Sequence, residues 1–150
     1  PGILYSDIGA DGAYSDLLYV PYGTSRRPES EKDNDHFLHM KGNEVFKVAV
    51  KKLESIAVNA IKRNNLTVEK IDWFVPHQAN IRIIQAVAKR LKMPMEKVIV
   101  TLDQHGNTSA ASIPLALDVG ITDGRIKKGD TILLQSFGAG FTWGTALLCL

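Results

Sequence analysis

The stretch from Thr131 to Leu150 contains no charged side chain, and it limits the possible folds of this chain more than any other segment. Its length is about that of a membrane-spanning helix, which needs ~20 apolar residues. Polar residues and glycines interrupt it at Gln135, Ser136, Gly138, Gly140, Thr142, Gly144 and Thr145. This pattern favours two short buried strands joined by a glycine-rich turn.

The rest of the chain alternates between helical and strand-like apolar patterns. From Asn43, apolar residues recur at spacings of three and four over about 20 residues, which predicts a long helix that ends near Asn64. The other predicted elements are helices over 80–91 and 109–117 and strands over 17–20, 71–75, 98–100, 132–134 and 143–148. Alternation of this kind predicts an α/β fold, layered, with helices on the faces of a mixed, mostly parallel sheet.

Three segments between these elements are predicted to be irregular. Residues 9–13 have the composition of a turn, and residues 25–36 that of a polar, mobile surface loop. Residues 120–129 are predicted to be a loop that can include a single helical turn. Pro114 lies within the predicted helix over 109–117, so that helix should be short or bent unless the proline falls in its first turn.

Composition excludes several classes of protein. The 150 residues are enough for one domain with a core, and 45% are hydrophobic, which argues against disorder. A net charge of +2 is too small to indicate nucleic acid. Cys149 is the one cysteine, so no internal disulfide can form, and we expect it to be a buried, inert thiol. Residues 1–7 lack the pattern of a signal peptide.

A histidine follows the predicted strand that ends at Pro76, in the run Val75-Pro76-His77-Gln78-Ala79-Asn80. Ligands bind at the carboxyl ends of strands in open α/β sheets, which would place His77 at a site. A histidine can donate a hydrogen bond or move a proton near neutral pH. The alternative is a histidine that only caps the following helix or is partly exposed to solvent.

The run His105-Gly106-Asn107-Thr108-Ser109 precedes the predicted helix that contains Pro114. The amide of Asn107 can donate a hydrogen bond to a developing oxyanion without changing its charge. The alternative is an ordinary helix N-cap, a role that asparagine often fills.

A glycine-rich turn, Phe137 to Gly144, completes the set of candidate site segments. Its backbone N–H groups could bind a developing negative oxygen, although a tight hairpin is the plain alternative.

Together these segments resemble the second half of the thiolase-like condensing enzymes, and most closely ketoacyl-acyl-carrier-protein synthase III. The matching stretches are Asp11-Gly12, Gly42-Asn43-Glu44-Val45-Phe46, Pro76-His77-Gln78-Ala79-Asn80, Gly106-Asn107-Thr108-Ser109-Ala110-Ala111-Ser112 and Phe137-Gly138-Ala139-Gly140-Phe141-Thr142-Trp143-Gly144. They cover nearly the whole chain in the order found in that family.

The resemblance implies a Cys-His-Asn catalytic set, in which His77 and Asn107 match the histidine and asparagine. In this family an acyl group passes from coenzyme A to the cysteine, and malonyl-acyl carrier protein then loses carbon dioxide and attacks the acyl group. His77 and Asn107 would stabilise the enolate, and the backbone N–H of Ala139 matches an oxyanion-hole position. Nothing in this sequence matches the cysteine, so we expect residues 1–150 to be a carboxyl-terminal half that is inactive alone.

The resemblance also implies binding partners. Asn43 and Phe46 match positions that line the pantetheine tunnel, although core packing is the alternative for Phe46. Arg82 matches a position linked to docking of the acidic carrier protein, and an exposed helix arginine is its alternative. The implied partners are acyl carrier protein, coenzyme A thioesters, the amino-terminal half and a second copy of the full enzyme. The implied enzyme is cytoplasmic, with no cofactor, metal, nucleic acid or membrane.

Two other functions stay open from the sequence. The first is another Cys-His-Asn condensing enzyme that makes a polyketide, a quinolone or a long-chain ketone. The second is a non-catalytic half-subunit that docks the carrier protein.

Overall fold

The structure, a computed structural model, describes residues 1–22 and 36–150. Its strands are β1 (Gly2–Ala10), β2 (Leu18–Tyr19), β3 (His39–Met40), β4 (Trp73–Pro76), β5 (Thr131–Gly138) and β6 (Thr142–Cys149). Its α-helices are α1 (Gly42–Arg63), α2 (Ile81–Arg90), α3 (Leu102–His105) and α4 (Ser112–Thr122). Short 3₁₀ turns lie at Gly12–Tyr14, Val68–Lys70, Met95–Lys97 and Ser109–Ala111.

One mixed sheet organises the fold, in the strand order β1-β6-β5-β4. The pairing of β4 with β5 is parallel, whereas β5 with β6 and β6 with β1 are antiparallel. The α/β class and the mixed sheet are confirmed. The predicted parallel majority is wrong for the strands that the structure describes, because the short turn after Gly138 reverses the chain directly into β6.

Helices cover both faces of this sheet. Side chains alternate along β4, so Phe74 and Val75 point to opposite faces. Phe74 is fully buried in a core formed with α1 and α2, and Val75 is fully buried in a second core that contains Ala116 of α4. Burying side chains of this size stabilises a fold by about 1.5–3 kcal/mol each. The result is a helix–sheet–helix sandwich around β4 and β5.

Helix prediction succeeded where the apolar stripe was long. The helix predicted from Asn43 is α1, and the helix predicted over 80–91 is α2. The predicted short or bent helix is wrong, because Pro114 falls in the first turn of α4, where its missing N–H costs little. For the same reason α4 continues to Thr122, which includes the start of the segment predicted as a loop.

The shorter elements differ more from prediction. Residues 98–100 form no strand, and only a single parallel bridge joins Val98 to Phe74. Residues 9 and 10 belong to β1 rather than to a turn, because pairing with β6 extends that strand. The predicted strand over 17–20 is the two-residue β2. Most of the predicted loop over 25–36 lies outside the described residues. No helix within the described ranges is long and apolar enough to cross a membrane.

Candidate active site

The candidate site lies where β4 and β5 end. The two strands run parallel, and Pro76 is paired with Gln135 at their carboxyl ends. The backbone N–H of His77 donates to the carbonyl of Gln135 at 2.7 Å, which anchors His77 at this edge of the sheet. The structure therefore places His77 where the sequence predicted it, directly after a buried strand.

The imidazole of His77 is half-buried and bonded to a buried serine. Its Nδ1 lies 2.6 Å from the Oγ of Ser112, the first residue of α4. Burial of the ring lowers the pKa of His77, because the charged form loses solvation. Burial therefore favours the neutral imidazole, which can donate or accept a hydrogen bond, over the cation.

The residues that follow His77 show that it does not cap α2. The N-cap of α2 is Asn80, whose Oδ1 accepts from the N–H of Arg82 at 2.8 Å, so His77 does not cap this helix. Gln78 is fully buried, and its side-chain amide donates to the carbonyls of Pro76 and Ile99 at 2.8 and 3.1 Å. These bonds hold the turn between β4 and α2 in one conformation.

Asn107 lies in the exposed turn between α3 and α4. It follows Gly106, which has φ +63°, a left-handed backbone conformation that favours glycine. The Oδ1 of Asn107 accepts from the N–H of Ser109 at 3.0 Å. The residue before α4 is Ala111, so Asn107 does not cap that helix. With its oxygen occupied, the Nδ2 amide group remains able to donate.

Ser112 connects the segment that carries Asn107 to the side chain of His77. No hydrogen bond joins the two side chains in residues 1–22 and 36–150. Ser112 contacts His77 directly and follows Asn107 by five residues on the same segment. Both side chains are thus carried by segments that meet at one edge of the sheet.

Ala139 lies in the exposed turn between β5 and β6, beside the carboxyl end of β5. Its carbonyl accepts from the Oγ1 of Thr142 at 3.1 Å. Gly140 has φ +133°, and a Cβ there would lie 2.9 Å from Cγ2 of Thr142. The predicted glycine-rich hairpin is confirmed, and it puts the backbone of Ala139 near the same edge of the sheet as His77.

Asn43, Phe46 and Arg82 lie at the amino-terminal ends of α1 and α2. Asn43 is exposed in the first turn of α1, and Phe46 is half-buried in the next turn. The guanidinium carbon of Arg82 lies 5.7 Å from the centre of the Phe46 ring, which is cation–π range. The structure therefore brings Phe46 and Arg82 together, and Phe46 also packs against the core, so packing accounts for part of its burial.

A small apolar cavity of about 30 Å³ adjoins His77. Its walls include Leu53, Ala79, Ile83, Gln135 and Phe137. Gln135 is 1% exposed, and its Oε1 is a buried acceptor without a partner among the described residues. Sequence reasoning missed Gln135 and Ser112 as site neighbours, since only the packing of β5 and α4 brings them to His77.

Cys149 lies at the other end of the sheet. It is half-buried rather than fully buried, and it pairs with Thr131 at the start of β5. Thr131 lies four residues before Gln135, which at ~3.3 Å per residue puts Cys149 about 13 Å along the strands from the edge that carries His77. No cluster of three or more potential metal ligands occurs in the part of the chain that the structure describes.

A mixed sheet with helices on both faces, and a candidate histidine on the turn after β4, define the chain as an α/β protein. Comparison with known proteins specifies the family. Residues 61–150 match the family model for the carboxyl-terminal domain of 3-oxoacyl-[acyl-carrier-protein] synthase III. The chain belongs to this family.

Curated relatives and solved structures agree with this assignment. The chain is 57% identical to the beta-ketoacyl-[acyl-carrier-protein] synthase III of Alkalilimnicola ehrlichii over 99% of its own length and 46% of that protein. It resembles the crystal structure of 3-oxoacyl-[acyl-carrier-protein] synthase III from Aquifex aeolicus, with a TM-score of 0.88, 40% identity and coverage of 99% of this chain and 44% of that one. The priming beta-ketosynthase of the R1128 polyketide pathway is also similar, with a TM-score of 0.89, 36% identity and coverage of 99% and 45%. The chain thus spans about half the length of the relatives that it matches.

Proposed function

We propose that this chain is the carboxyl-terminal half of an acyltransferase that condenses a short acyl-coenzyme A with malonyl-acyl carrier protein and releases carbon dioxide. This reaction starts fatty-acid synthesis. The observation that carries the proposal is the pair of fixed side chains, His77 and Asn107, each with one polar atom already bonded within the chain. The names of the relatives support the same reaction.

Decarboxylation of malonyl-acyl carrier protein needs hydrogen-bond donors at the thioester oxygen. When the bond between the malonyl α-carbon and its carboxylate breaks, carbon dioxide leaves and the electron pair moves onto the thioester, so negative charge develops on the thioester oxygen. His77 and Asn107 donate N–H groups to that oxygen, and such donors act most strongly where charge develops in the transition state.

The second step forms the new carbon–carbon bond. The enolate carbon attacks the acyl thioester carbonyl, and the cysteine thiolate leaves. In this step the N–H of Ala139 donates to the oxygen of the tetrahedral intermediate. The exposed position of Ala139 in the turn after β5 supports this role.

The nucleophilic cysteine belongs to the other half of the protein. Cys149 lies at the wrong end of the sheet, and the relatives continue over about twice the length of this chain. Intact mass spectra before and after incubation with acetyl-coenzyme A test this assignment. We expect no adduct on the 150-residue chain. An acetyl group localised to Cys149 would overturn it.

Substrate and partner binding use the amino-terminal ends of α1 and α2. Asn43 and Phe46 line the path of the pantetheine arm, and the exposed guanidinium of Arg82 contacts the acidic carrier protein. The Phe46–Arg82 contact supports a shared role, because the aromatic ring holds the cation at the surface. No cofactor takes part, and the full enzyme acts as a cytoplasmic homodimer.

The decisive experiment measures two partial reactions in the complete enzyme. His77→Ala and Asn107→Ala should each slow decarboxylation of malonyl-acyl carrier protein by about 10²–10³-fold, the usual effect of losing one oxyanion donor. Transfer of the acyl group from coenzyme A to the cysteine should persist. His105→Ala and Asn59→Ala change exposed residues of the same types and should leave both reactions near normal.

Unchanged condensation in the double variant His77→Ala/Asn107→Ala would refute the catalytic proposal and favour the docking half-subunit. Priming of polyketide synthesis is the second candidate, and the similarity to the R1128 ketosynthase favours it. A screen of acyl-coenzyme A chain lengths separates the two. Preference for acetyl-coenzyme A supports fatty-acid synthesis, whereas preference for longer starters supports a priming ketosynthase.

A further inference from the structure

The hydroxyl group of Ser112 lies between two groups of the turn after β4. Ser112 is 1% exposed, at the start of α4. Its Oγ accepts from the backbone N–H of Gln78 at 3.2 Å and lies 2.6 Å from Nδ1 of His77. It is therefore a buried hydroxyl with two defined neighbours.

The direction of the second hydrogen bond follows from counting protons. A backbone N–H can only donate, so Gln78 occupies a lone pair of the Ser112 oxygen. The hydroxyl has one proton of its own, and among the described residues Nδ1 of His77 is the acceptor within reach. If Nδ1 carried a proton, the buried hydroxyl proton would have no acceptor, and unsatisfied buried polar groups are disfavoured.

We propose that Ser112 is a positioning residue that holds His77 as the tautomer with its proton on Nε2. The inference rests on the proposed role of His77 as a donor to the thioester oxygen. A neutral histidine has one N–H, so a bond that makes Nδ1 an acceptor leaves Nε2–H as the donor. The same hydrogen bond prevents the imidazole ring of His77 from flipping.

Ser112 is itself held in place. Gln78, which donates to it, is fixed by side-chain bonds to the carbonyls of Pro76 and Ile99, and its Oε1 accepts from the N–H of Thr101 at 2.9 Å. A continuous set of hydrogen bonds thus runs from the core to the His77 ring. Because Ser112 also starts α4, it joins the segment of Asn107 to the turn of His77.

Nuclear magnetic resonance of the chain labelled with ¹⁵N-histidine tests the proposal. Long-range ¹H–¹⁵N correlations show which ring nitrogen carries the proton, and His77→Gln identifies the signals of this residue by their loss. We expect Nε2–H and a bare Nδ1 in the unmodified chain. If the unmodified chain carries the proton on Nδ1 instead, the proposal is wrong, and no variant is needed to show it.

Variants of Ser112 provide the second test. Ser112→Ala should give a mixture of both tautomers, whereas Ser112→Thr, which keeps the hydroxyl group, should retain Nε2–H. Thr101→Val is the matched control, since the Oγ1 of Thr101 is buried without a partner and its removal should leave the His77 signals unchanged. A single unchanged tautomer in Ser112→Ala would refute the role of the hydroxyl group.

Kinetics of the complete enzyme separate this inference from the proposed function. Ser112→Ala should lower kcat for decarboxylation by about 10-fold or more, with KM for the malonyl thioester nearly unchanged, because an orienting partner acts through the tautomer of its histidine. Ser112→Thr, which keeps the hydroxyl group, should retain a kcat close to that of the unmodified enzyme. If His77→Ala is fully active while the spectra show the expected tautomer, the proposed function fails and the role of Ser112 in fixing the ring stands.

Discussion

Replacing Gln78 by alanine should destabilise the chain strongly, although the residue itself has no assigned part in the chemistry. Its side chain is fully buried and makes three hydrogen bonds to backbone groups, at 2.8, 2.9 and 3.1 Å. Gln78→Ala removes all three and leaves the carbonyls of Pro76 and Ile99 and the N–H of Thr101 without these partners.

The expected loss follows from these bonds. Each buried backbone group that loses its partner costs about 1–3 kcal/mol, and partial entry of water reduces the sum. We expect the free energy of unfolding to fall by about 3–5 kcal/mol, which is a large part of the ~5–15 kcal/mol of a typical domain. With a urea m-value of about 2 kcal/mol/M, the unfolding midpoint would move down by about 2 M.

Urea titration followed by circular dichroism measures this change. Gln85→Ala, on the exposed side of α2, is the matched control and should shift the free energy of unfolding by less than about 0.5 kcal/mol. Gln78→Met fills the volume without the hydrogen bonds, so it should recover little of the loss. If Gln78→Ala were no worse than Gln85→Ala, the hydrogen bonds of Gln78 would not stabilise this turn, and the reasoning would be wrong.

Two further predictions concern His77 and the β1–β6 pair. Burial lowers the pKa of His77, so the unfolded chain binds a proton at higher pH than the folded chain, and the free energy of unfolding should fall as pH drops through the ordinary histidine value of 6.5. Urea titrations across this range should show a weaker dependence in His77→Gln, and identical profiles would contradict the prediction. A Cβ at Gly9 would lie 2.6 Å from Nε1 of Trp143, so Gly9→Ala should lower stability by about 1–3 kcal/mol in thermal unfolding. Gly12→Ala, with nothing within 4 Å of its Cβ, should change it by less than about 0.5 kcal/mol, and equal losses would refute the packing argument.

Local patterns predicted the elements whose formation depends on local sequence. The apolar stripe of α1 and the glycines between β5 and β6 are sufficient signals, because helix period and turn chemistry act over a few residues. The same logic placed His77 after a strand. The helix with Pro114 was predicted wrongly because its start, and hence the position of the proline in it, depends on where Ser112 packs.

Contacts between distant segments were beyond prediction from the sequence. Ser112 lies 35 residues from His77, and nothing in either local pattern indicates a bond between them. The antiparallel pairing of β1 with β6 likewise depends on residues that are far apart in the sequence. Fold class and candidate residues therefore came from the sequence, whereas the orientation of those residues required the structure.

The pairing of β1 with β6 also sets an order of events during synthesis. Gly2 pairs with Cys149, so the two strands come from opposite ends of these 150 residues. At roughly 5–20 residues per second, a ribosome completes β6 about 7–28 seconds after β1 has been made. During that interval the backbone N–H and C=O groups of β1 have no β6 to pair with, so they are open to pairing with another strand. Pairing over such a separation forms slowly, so the edge of this sheet should be among the last parts of the fold to assemble.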